Sequence, residues 1–106
     1  MNKQFKKGVL DLVLLHLIHE SPATAYELLK KLETKLGVTQ NTIYPLLRRL
    51  ENDGFLTHER AASQVGAPKK LFKLTANGLE HYRNLYNDWM AFNTKIEAIL
   101  GGQRHE

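Results

Sequence analysis

Amide, hydroxyl and guanidinium side chains are concentrated between residues 40 and 49, where they could bind the phosphates and base edges of DNA. Apolar residues are interleaved with them at spacings of i, i+3, i+4 and i+7, which places the apolar residues on one face of a helix. These apolar residues are Ile43, Leu46, Leu47 and Leu50. The opposite face carries guanidinium groups without carboxylates, whereas a solvated helix face usually mixes both signs. The segment is therefore predicted to be a DNA recognition helix, with an ordinary polar surface as the alternative.

The start of this helix carries the residues predicted to contact base edges and nearby phosphates, because the N-terminal part of a recognition helix enters the major groove most deeply. The candidates are Gln40, Asn41, Thr42 and Tyr44. Helix capping is the competing role for Thr39, Asn41 and Thr42, since their side chains can accept hydrogen bonds from free backbone N–H groups. Pro45 favours Asn41 as the N-cap, because proline is tolerated in the first turn of a helix.

Two arginines follow in the same helix. Arg48 is expected to reach the DNA backbone. Arg49 is a second candidate for a phosphate contact, but it could instead form an ion pair with Glu20, Glu51 or Asp53. The two arginines therefore have different expected partners, although they are adjacent in the chain.

A two-stranded wing is predicted after the helix, with strands at residues 55–60 and 70–74. The loop between them, residues 61–69, is expected to project from the protein. Lys69 and Lys70 could straddle a phosphate beside the minor groove. Lysines on a wing are often merely solvated, so this is the alternative for both.

Two more helices are predicted before the recognition helix. The nearly continuous apolar run from Gly8 to His19 predicts a helix buried on several sides, and Pro22 cannot continue it. A second helix begins after Thr24, which forms a capping box with Glu27, and it ends at Gly37. Its inward stripe is expected to contain Leu28, Leu29, Leu32 and Leu36.

One long helix is predicted from the N-cap Thr75 to about Leu100. Apolar residues alternate along it by three and four positions, a pattern typical of helices that pair with another helix. This apolar seam consists of Tyr82, Leu85, Trp89, Phe92, Ile96 and Ile99. The predicted partner is a second copy of the chain, and packing of the seam on its own domain is the alternative.

Trp89 and Phe92 are also predicted to bind a small molecule. On a seam that crosses a two-fold axis, Trp89 would face its symmetry mate, and two indoles could form the walls of a flat slot. Such a slot would suit a planar hydrophobic or phenolic compound. The alternative is that these rings only pack in the dimer core.

The composition is that of one small domain with an affinity for polyanions. The chain has 106 residues, is 42% hydrophobic, and carries a formal net charge of +4. It contains no cysteine, which fits a reducing cytoplasm.

The N-terminus imitates a secretory signal, but Asp11 and His16 interrupt its apolar run, so we interpret the run as a core helix. The run is also shorter than the roughly 20 residues that a membrane span requires.

Few residues suggest an enzyme. The only serines are Ser21 and Ser63. The carboxylates lie mostly near predicted helix ends, where they cap the helices or interact with the helix dipoles. His16 and His19 have a spacing that could bind a metal, but no third ligand is evident, and a hydrogen-bonded core histidine is the expected role. The sequence predicts no catalytic residue, metal site or cofactor.

Three helices, a two-stranded wing and a long final helix predict a mainly α winged helix-turn-helix fold with a small β-hairpin. Three motifs are more specific: AYEL at residues 25–28, TIYPLLRRLENDG at residues 42–54, and KLFKLTANG at residues 70–78. In these motifs the chain resembles the PadR family of bacterial transcriptional regulators. Ala25 stands where the family usually has Gly, and Phe72 where it usually has Tyr. The single C-terminal helix resembles the small subfamily.

The resemblance implies a homodimeric repressor that binds a palindromic operator in double-stranded DNA and is released by a small-molecule effector. Residues 1–75 would form the DNA-binding domain, and residues 76–106 the dimerisation helix and tail, together in one compact unit. Small multidrug-responsive members of the family use a pocket at the dimer interface, in line with the role predicted for Trp89. The alternative from another class is a winged-helix module that binds proteins, which predicts no salt-dependent DNA binding.

Overall fold

The computed structural model describes residues 3–62, 66 and 68–101, with side chains described from residue 8 onward. The fold is mainly helical with a two-stranded antiparallel hairpin, as predicted. Its elements are α1 Lys3–Glu20, α2 Ala25–Leu36, α3 Gln40–Asn52, β1 Leu56–Ala61, β2 Lys69–Leu74 and α4 Ala76–Ile99. None of the helices in the described ranges is long and apolar enough to cross a lipid bilayer.

The core lies between α1, α2, α3 and the hairpin. Leu14 and Leu15 of α1 are fully buried, together with Leu28 of α2 and Ile43 and Leu50 of α3. The expectation that α1 is buried on several sides is thus confirmed, and α1 begins five residues earlier than predicted. Because α1 is buried on several faces, it can contact α4 as well as β2.

Helix α2 begins and ends as predicted. The Thr24 hydroxyl accepts a hydrogen bond from the Glu27 N–H, and the Glu27 carboxylate accepts one from the Thr24 N–H, which completes the capping box. Gly37 caps the other end with φ of 68°, a left-handed conformation that favours glycine. The assignment of Leu36 to the inward stripe was wrong: its side chain is 51% exposed, because it lies in the last turn, beyond the core.

Helix α3 starts two residues earlier than the position of Pro45 suggested. Its N-cap is Thr39, whose carbonyl accepts hydrogen bonds from the N–H groups of Thr42 and Ile43, and Asn41 lies inside the helix. The Thr39 side chain makes no capping bond. Proline inside the helix removes one backbone donor and its ring crowds the carbonyl four residues earlier, and burial of the apolar face outweighs both costs.

Each hairpin strand begins one residue away from its predicted start: β1 begins one residue later and β2 one residue earlier. Leu56 pairs with Leu74, and the ladder continues to Ala61 and Lys69. Phe55, predicted to start β1, lies instead in the turn after α3, where its N–H donates to the Leu50 carbonyl. Residues 63–65 and 67 of the predicted loop, including Val65, lie outside the described residues.

The start of α4 is fastened to the turn after α3. The Thr75 hydroxyl donates to the Gly54 carbonyl at 2.6 Å and accepts from the Gly78 N–H, while the Thr75 N–H donates to the Phe55 carbonyl. Gly78 is buried against this turn, and a Cβ at that position would overlap the Phe55 carbonyl oxygen. The close approach therefore requires glycine, which explains its place at the end of the third motif.

Gly78→Ala should lower the free energy of unfolding by about 1–3 kcal/mol, because the new methyl group would force α4 away from a backbone carbonyl. Thermal or urea unfolding measures this change. Asn77→Ala is the matched control, since Asn77 is the exposed neighbour in the same helical turn. A Gly78→Ala variant as stable as the Asn77→Ala variant would contradict the proposed close packing.

Candidate nucleic-acid interface

The apolar face of α3 is buried, as its spacing predicted. Ile43, Leu46, Leu47 and Leu50 all belong to the core. The opposite face is turned to solvent, and it exposes Gln40, Asn41, Tyr44, Pro45 and Arg48, with Thr42 half-buried. The helix thus presents amides, a phenol and a guanidinium outward on a rigid support.

The exposed face of α3 forms one wall of an open cleft, and the start of α2 and the hairpin form the others. The cleft has a volume of about 360 Å³. Its polar lining includes Tyr26, Tyr44, Arg48, Glu51, Lys69 and Lys70. The structure therefore brings together four residues that the sequence predicted separately on the helix and on the wing. Gln40, Asn41 and Thr42 lie at the start of α3, outside this cleft.

The cleft has a positive electrostatic character. Arg48, Lys69 and Lys70 are exposed, and within the described part of the chain no carboxylate lies within ion-pairing distance of them. The carboxylate of Glu51, which also lines the cleft, is hydrogen-bonded to His58 of β1. This bond occupies the Glu51 carboxylate and ties the hairpin to α3. Three cations therefore remain available for an anionic ligand such as the DNA backbone.

Lys73, near the other end of β2, is used within the protein. Its ammonium group donates to the Glu59 carboxylate at 2.6 Å, and this hydrogen bond lowers the pKa of Glu59. This pair joins the two strands near their base. Lys73 therefore differs from Lys69 and Lys70, which line the cleft.

Arg49 is directed away from the cleft. Its guanidinium donates to the buried Asp11 of α1 at 2.6 Å and lies 3.6 Å from Asp53. Asp53 was among the expected partners, whereas the partnership with Asp11 was missed, because the sequence does not reveal that α1 crosses α3 at this point. The buried charge of Asp11 requires this compensation, so the prediction of Arg49 as a DNA contact loses its physical support.

The sequence reasoning missed Tyr26, the residue on the α2 wall of the cleft. Its side chain is 57% exposed, and ammonium groups of Lys30 and Lys69 lie near its ring. A signal was present: the inward stripe of α2 runs through Leu28 and Leu32, which leaves Tyr26 on the outer face. A large aromatic residue on a polar face beside lysines suggests a binding role more than a packing role.

The seam of α4 divides into two halves. Tyr82 is buried in the core of its own chain, where its hydroxyl is hydrogen-bonded to His16 Nδ1 at 2.7 Å. Burial raises the pKa of the Tyr82 phenol above its ordinary value. Tyr82 therefore follows the alternative of packing within the domain, and its prediction as a dimer contact is corrected. His16 has the hydrogen bond expected of it, while His19 is exposed and its ring lies tilted beside the Tyr82 ring.

The second half of the seam is more open. Leu85 and Trp89 are partly buried against the core, Ile96 is half-buried, and Phe92 and Ile99 are 48% and 78% exposed. A long helix with this much exposed apolar surface on one seam is suited to packing against another helix.

An apolar pocket lies between α1 and this part of α4. Its volume is about 280 Å³, and its lining consists of Gly8, Val9, Leu12, Leu85, Asp88, Trp89 and Phe92. Both residues predicted to bind a small molecule thus line one cavity. The carboxylate of Asp88 is the only charged group among the described lining residues. Such a pocket could bind a flat apolar compound and hold a cationic group at its edge.

Comparisons with known proteins agree with this architecture. Residues 14–84 match the model of the "Transcriptional regulator PadR-like family". A transcriptional regulator of Mycobacterium tuberculosis is 28% identical over 97% of this chain and 94% of that protein. The structure of a PadR-like transcription factor from Bacteroides fragilis is 38% identical, with a TM-score of 0.78, and the match covers 91% of this chain and 94% of that chain.

A third relative has been solved with its ligand: Bacillus subtilis PadR in complex with operator DNA. It is 26% identical, with a TM-score of 0.65, over 77% of this chain and 46% of that longer chain. The family and these neighbours are transcriptional regulators rather than enzymes. The family model covers most of the chain and includes α3, the hairpin and the start of α4. The chain belongs to the transcriptional regulator PadR-like family.

Proposed function

We propose that this PadR-like regulator is a cytoplasmic repressor that binds a palindromic operator as a homodimer and releases it when a small molecule binds. The observation that carries the proposal is the outward face of α3, which lies with two wing lysines in one cleft, where Glu51, the one carboxylate among the described lining residues, is hydrogen-bonded to His58. Helix α3 would enter the major groove, and the hairpin would follow the adjacent backbone.

The residues have distinct roles in this proposal. Gln40, Asn41, Thr42 and Tyr44 contact base edges and neighbouring phosphates from the start of α3. Arg48, Lys69 and Lys70 contact phosphates, which orient the protein and supply most of the salt-dependent affinity. Arg49 is left out, because its guanidinium compensates Asp11. The operator complex of Bacillus subtilis PadR supports DNA as the ligand class for this fold.

The exposed seam of α4 supports homodimerisation. Leu85, Trp89, Phe92, Ile96 and Ile99 would pack against the same residues of a second copy around a two-fold axis. Two recognition helices related by such an axis can enter successive major grooves about 34 Å apart, and this geometry requires a palindromic site. Dimerisation would also cover apolar surface that a chain of this size leaves in water.

The pocket between α1 and α4 supports the effector part of the proposal. Trp89 and Phe92 offer aromatic surfaces to a planar hydrophobic or phenolic compound, beside the seam that would form the dimer. A ligand there would alter the packing of α4, and α4 is fastened to the end of α3 through Thr75 and Gly78. Release follows if the ligand favours an arrangement in which the two recognition helices no longer match the operator.

Arg48→Ala and Lys69→Ala should each weaken DNA binding to a similar extent on all sequences. Each change should reduce the slope of log affinity against log salt by about one per half-site, because one phosphate contact is lost. Fluorescence anisotropy with a labelled duplex at several salt concentrations measures both effects. Arg83→Ala is the matched control, since Arg83 is an exposed arginine of α4 outside the cleft.

If both variants bind like the parent, the phosphate assignments are wrong. If the parent itself shows no salt-dependent binding to any duplex, DNA binding is wrong altogether. The protein-interaction module would then be the better interpretation of the fold.

Phe92→Asp should convert the dimer to a monomer, because it places a carboxylate in the middle of the exposed seam. Operator affinity should fall by about a hundredfold or more as the second half-site contact is lost. Light scattering after size-exclusion chromatography gives the mass, and anisotropy gives the affinity. Thr94→Asp adds the same charge two residues away on the outer face of α4 and should change neither. A parent protein that is monomeric at high concentration would refute the dimer.

Binding of a planar aromatic compound in the pocket should quench the fluorescence of Trp89, the single tryptophan of the chain. Acriflavine represents planar cations in this titration, and 4-hydroxybenzoate represents phenols. A compound that quenches should also lower the affinity for operator DNA, whereas binding without release would refute the effector role. Asp88→Asn should weaken binding of the cation more than binding of the phenol, because it removes the charge at the pocket edge.

A further inference from the structure

The exposed ring of Tyr26 lies near two ammonium groups from different elements. Lys30 Nζ is 5.7 Å from the ring centroid, and Lys69 Nζ is 5.9 Å from it. Both distances fall within the range of a cation–π attraction, about 6 Å. Lys30 is one turn further along α2, so its position follows from the helix. Lys69 is the first residue of β2, so its position requires a tertiary arrangement.

Backbone hydrogen bonds place Lys69 beside Tyr26. Ala23, just before α2, pairs with Phe72 of β2: the Phe72 N–H donates to the Ala23 carbonyl at 2.8 Å, and the Ala23 N–H donates to the Phe72 carbonyl at 3.2 Å. The pairing is antiparallel, so residues after Ala23 run alongside residues before Phe72. The capping box of Thr24 then fixes the first turn of α2, which holds the Tyr26 ring at the level of Lys69.

The two lysines differ in how their charge is compensated. Lys30 Nζ lies 3.6 Å from the Glu33 carboxylate on its own helix. For Lys69, the described residues provide the Tyr26 ring but no carboxylate within ion-pairing distance. A cation held by a ring keeps its ability to donate to an anion, because an ammonium group has three N–H donors and those turned away from the ring stay available. Lys69 is therefore the ammonium group at this site that is ready for a phosphate.

We propose that Tyr26 is a positioning residue for DNA binding: its aromatic ring holds the Lys69 ammonium over the cleft before DNA arrives. A lysine on a projecting hairpin otherwise samples many rotamers, and ordering it on binding lowers affinity. The ring reduces this loss and fixes the side of the hairpin on which the charge lies. The inference rests on the proposed DNA-binding function and adds a role for α2 that acts through the wing.

Four variants test this role: Tyr26→Phe, Tyr26→Leu, Lys69→Ala and the double variant Tyr26→Leu/Lys69→Ala. The probe is a labelled mixed-sequence duplex, because a phosphate contact does not depend on base sequence. Tyr26→Leu should weaken binding by about two- to fivefold, the size expected for an exposed cation–π contact. Tyr26→Phe should bind like the parent, because a phenyl ring retains the attraction.

The double variant is the decisive measurement. Tyr26→Leu should have no further effect once Lys69 is alanine, because its action passes through that ammonium group. Lys35→Ala controls for the loss of a lysine charge, since Lys35 is exposed in the last turn of α2. Because Tyr26 is exposed, these substitutions should be compatible with folding, and thermal unfolding verifies this. A further variant, Tyr26→Trp, should bind as tightly as the parent or more tightly.

Three results would overturn the inference while leaving DNA binding intact. Tyr26→Leu could bind like the parent, Tyr26→Phe could be as weak as Tyr26→Leu, or the effect of Tyr26→Leu could persist in the Lys69→Ala background. The second result would assign the role to the phenol hydroxyl instead of the ring. If the parent shows no salt-dependent binding to the duplex, the proposed function fails and this inference fails with it.

Discussion

The burial of the apolar face of α3 is the constraint on which the remaining structure depends. Each of its four core residues contributes about 1.5–3 kcal/mol by leaving water, so the helix has one strongly preferred orientation. That orientation leaves Tyr44 and Arg48 no position except the outer face. It also overrides a local preference, because Pro45 would be better accommodated in a first turn and is accepted inside the helix. Packing energy therefore sets the surface that faces a ligand.

The outer face becomes a cleft because two other elements are fastened around α3 by a few specific contacts. The Ala23–Phe72 bridge joins the hairpin to the start of α2, and the bond between Glu51 and His58 joins the hairpin to α3. These contacts hold the wing at a fixed distance from the helix. In our proposal this rigidity places the cations of both elements along one DNA backbone, with little ordering left to occur on binding.

Helix α1 and helix α4 connect the cleft to the opposite side of the molecule. The ion pair between Asp11 and Arg49 joins α1 to α3, and Gly78 allows α4 to rest on the turn that ends α3. The apolar pocket lies between the same two helices, α1 and α4. In the proposed function, a change in the packing of these two helices has two direct routes to α3, one through Arg49 and one through the turn after α3.

The sequence by itself determined the elements, the class of fold and the face of α3 that is exposed. These features depend on local periodicity, caps and turn residues such as Thr24 and Gly37, which act within a few positions of the chain. Only the tertiary structure decided that Arg49 forms an ion pair with Asp11, that Tyr82 is buried in the core and that the Lys69 ammonium lies near the Tyr26 ring. Arg49 and Asp11 are 38 positions apart in the chain, and Tyr82 and its hydrogen-bond partner His16 are 66 positions apart. Tyr26 and Lys69 are 43 positions apart. No local pattern encodes such pairs, because they arise where separate elements cross, and the crossing is set by the packing of the whole core.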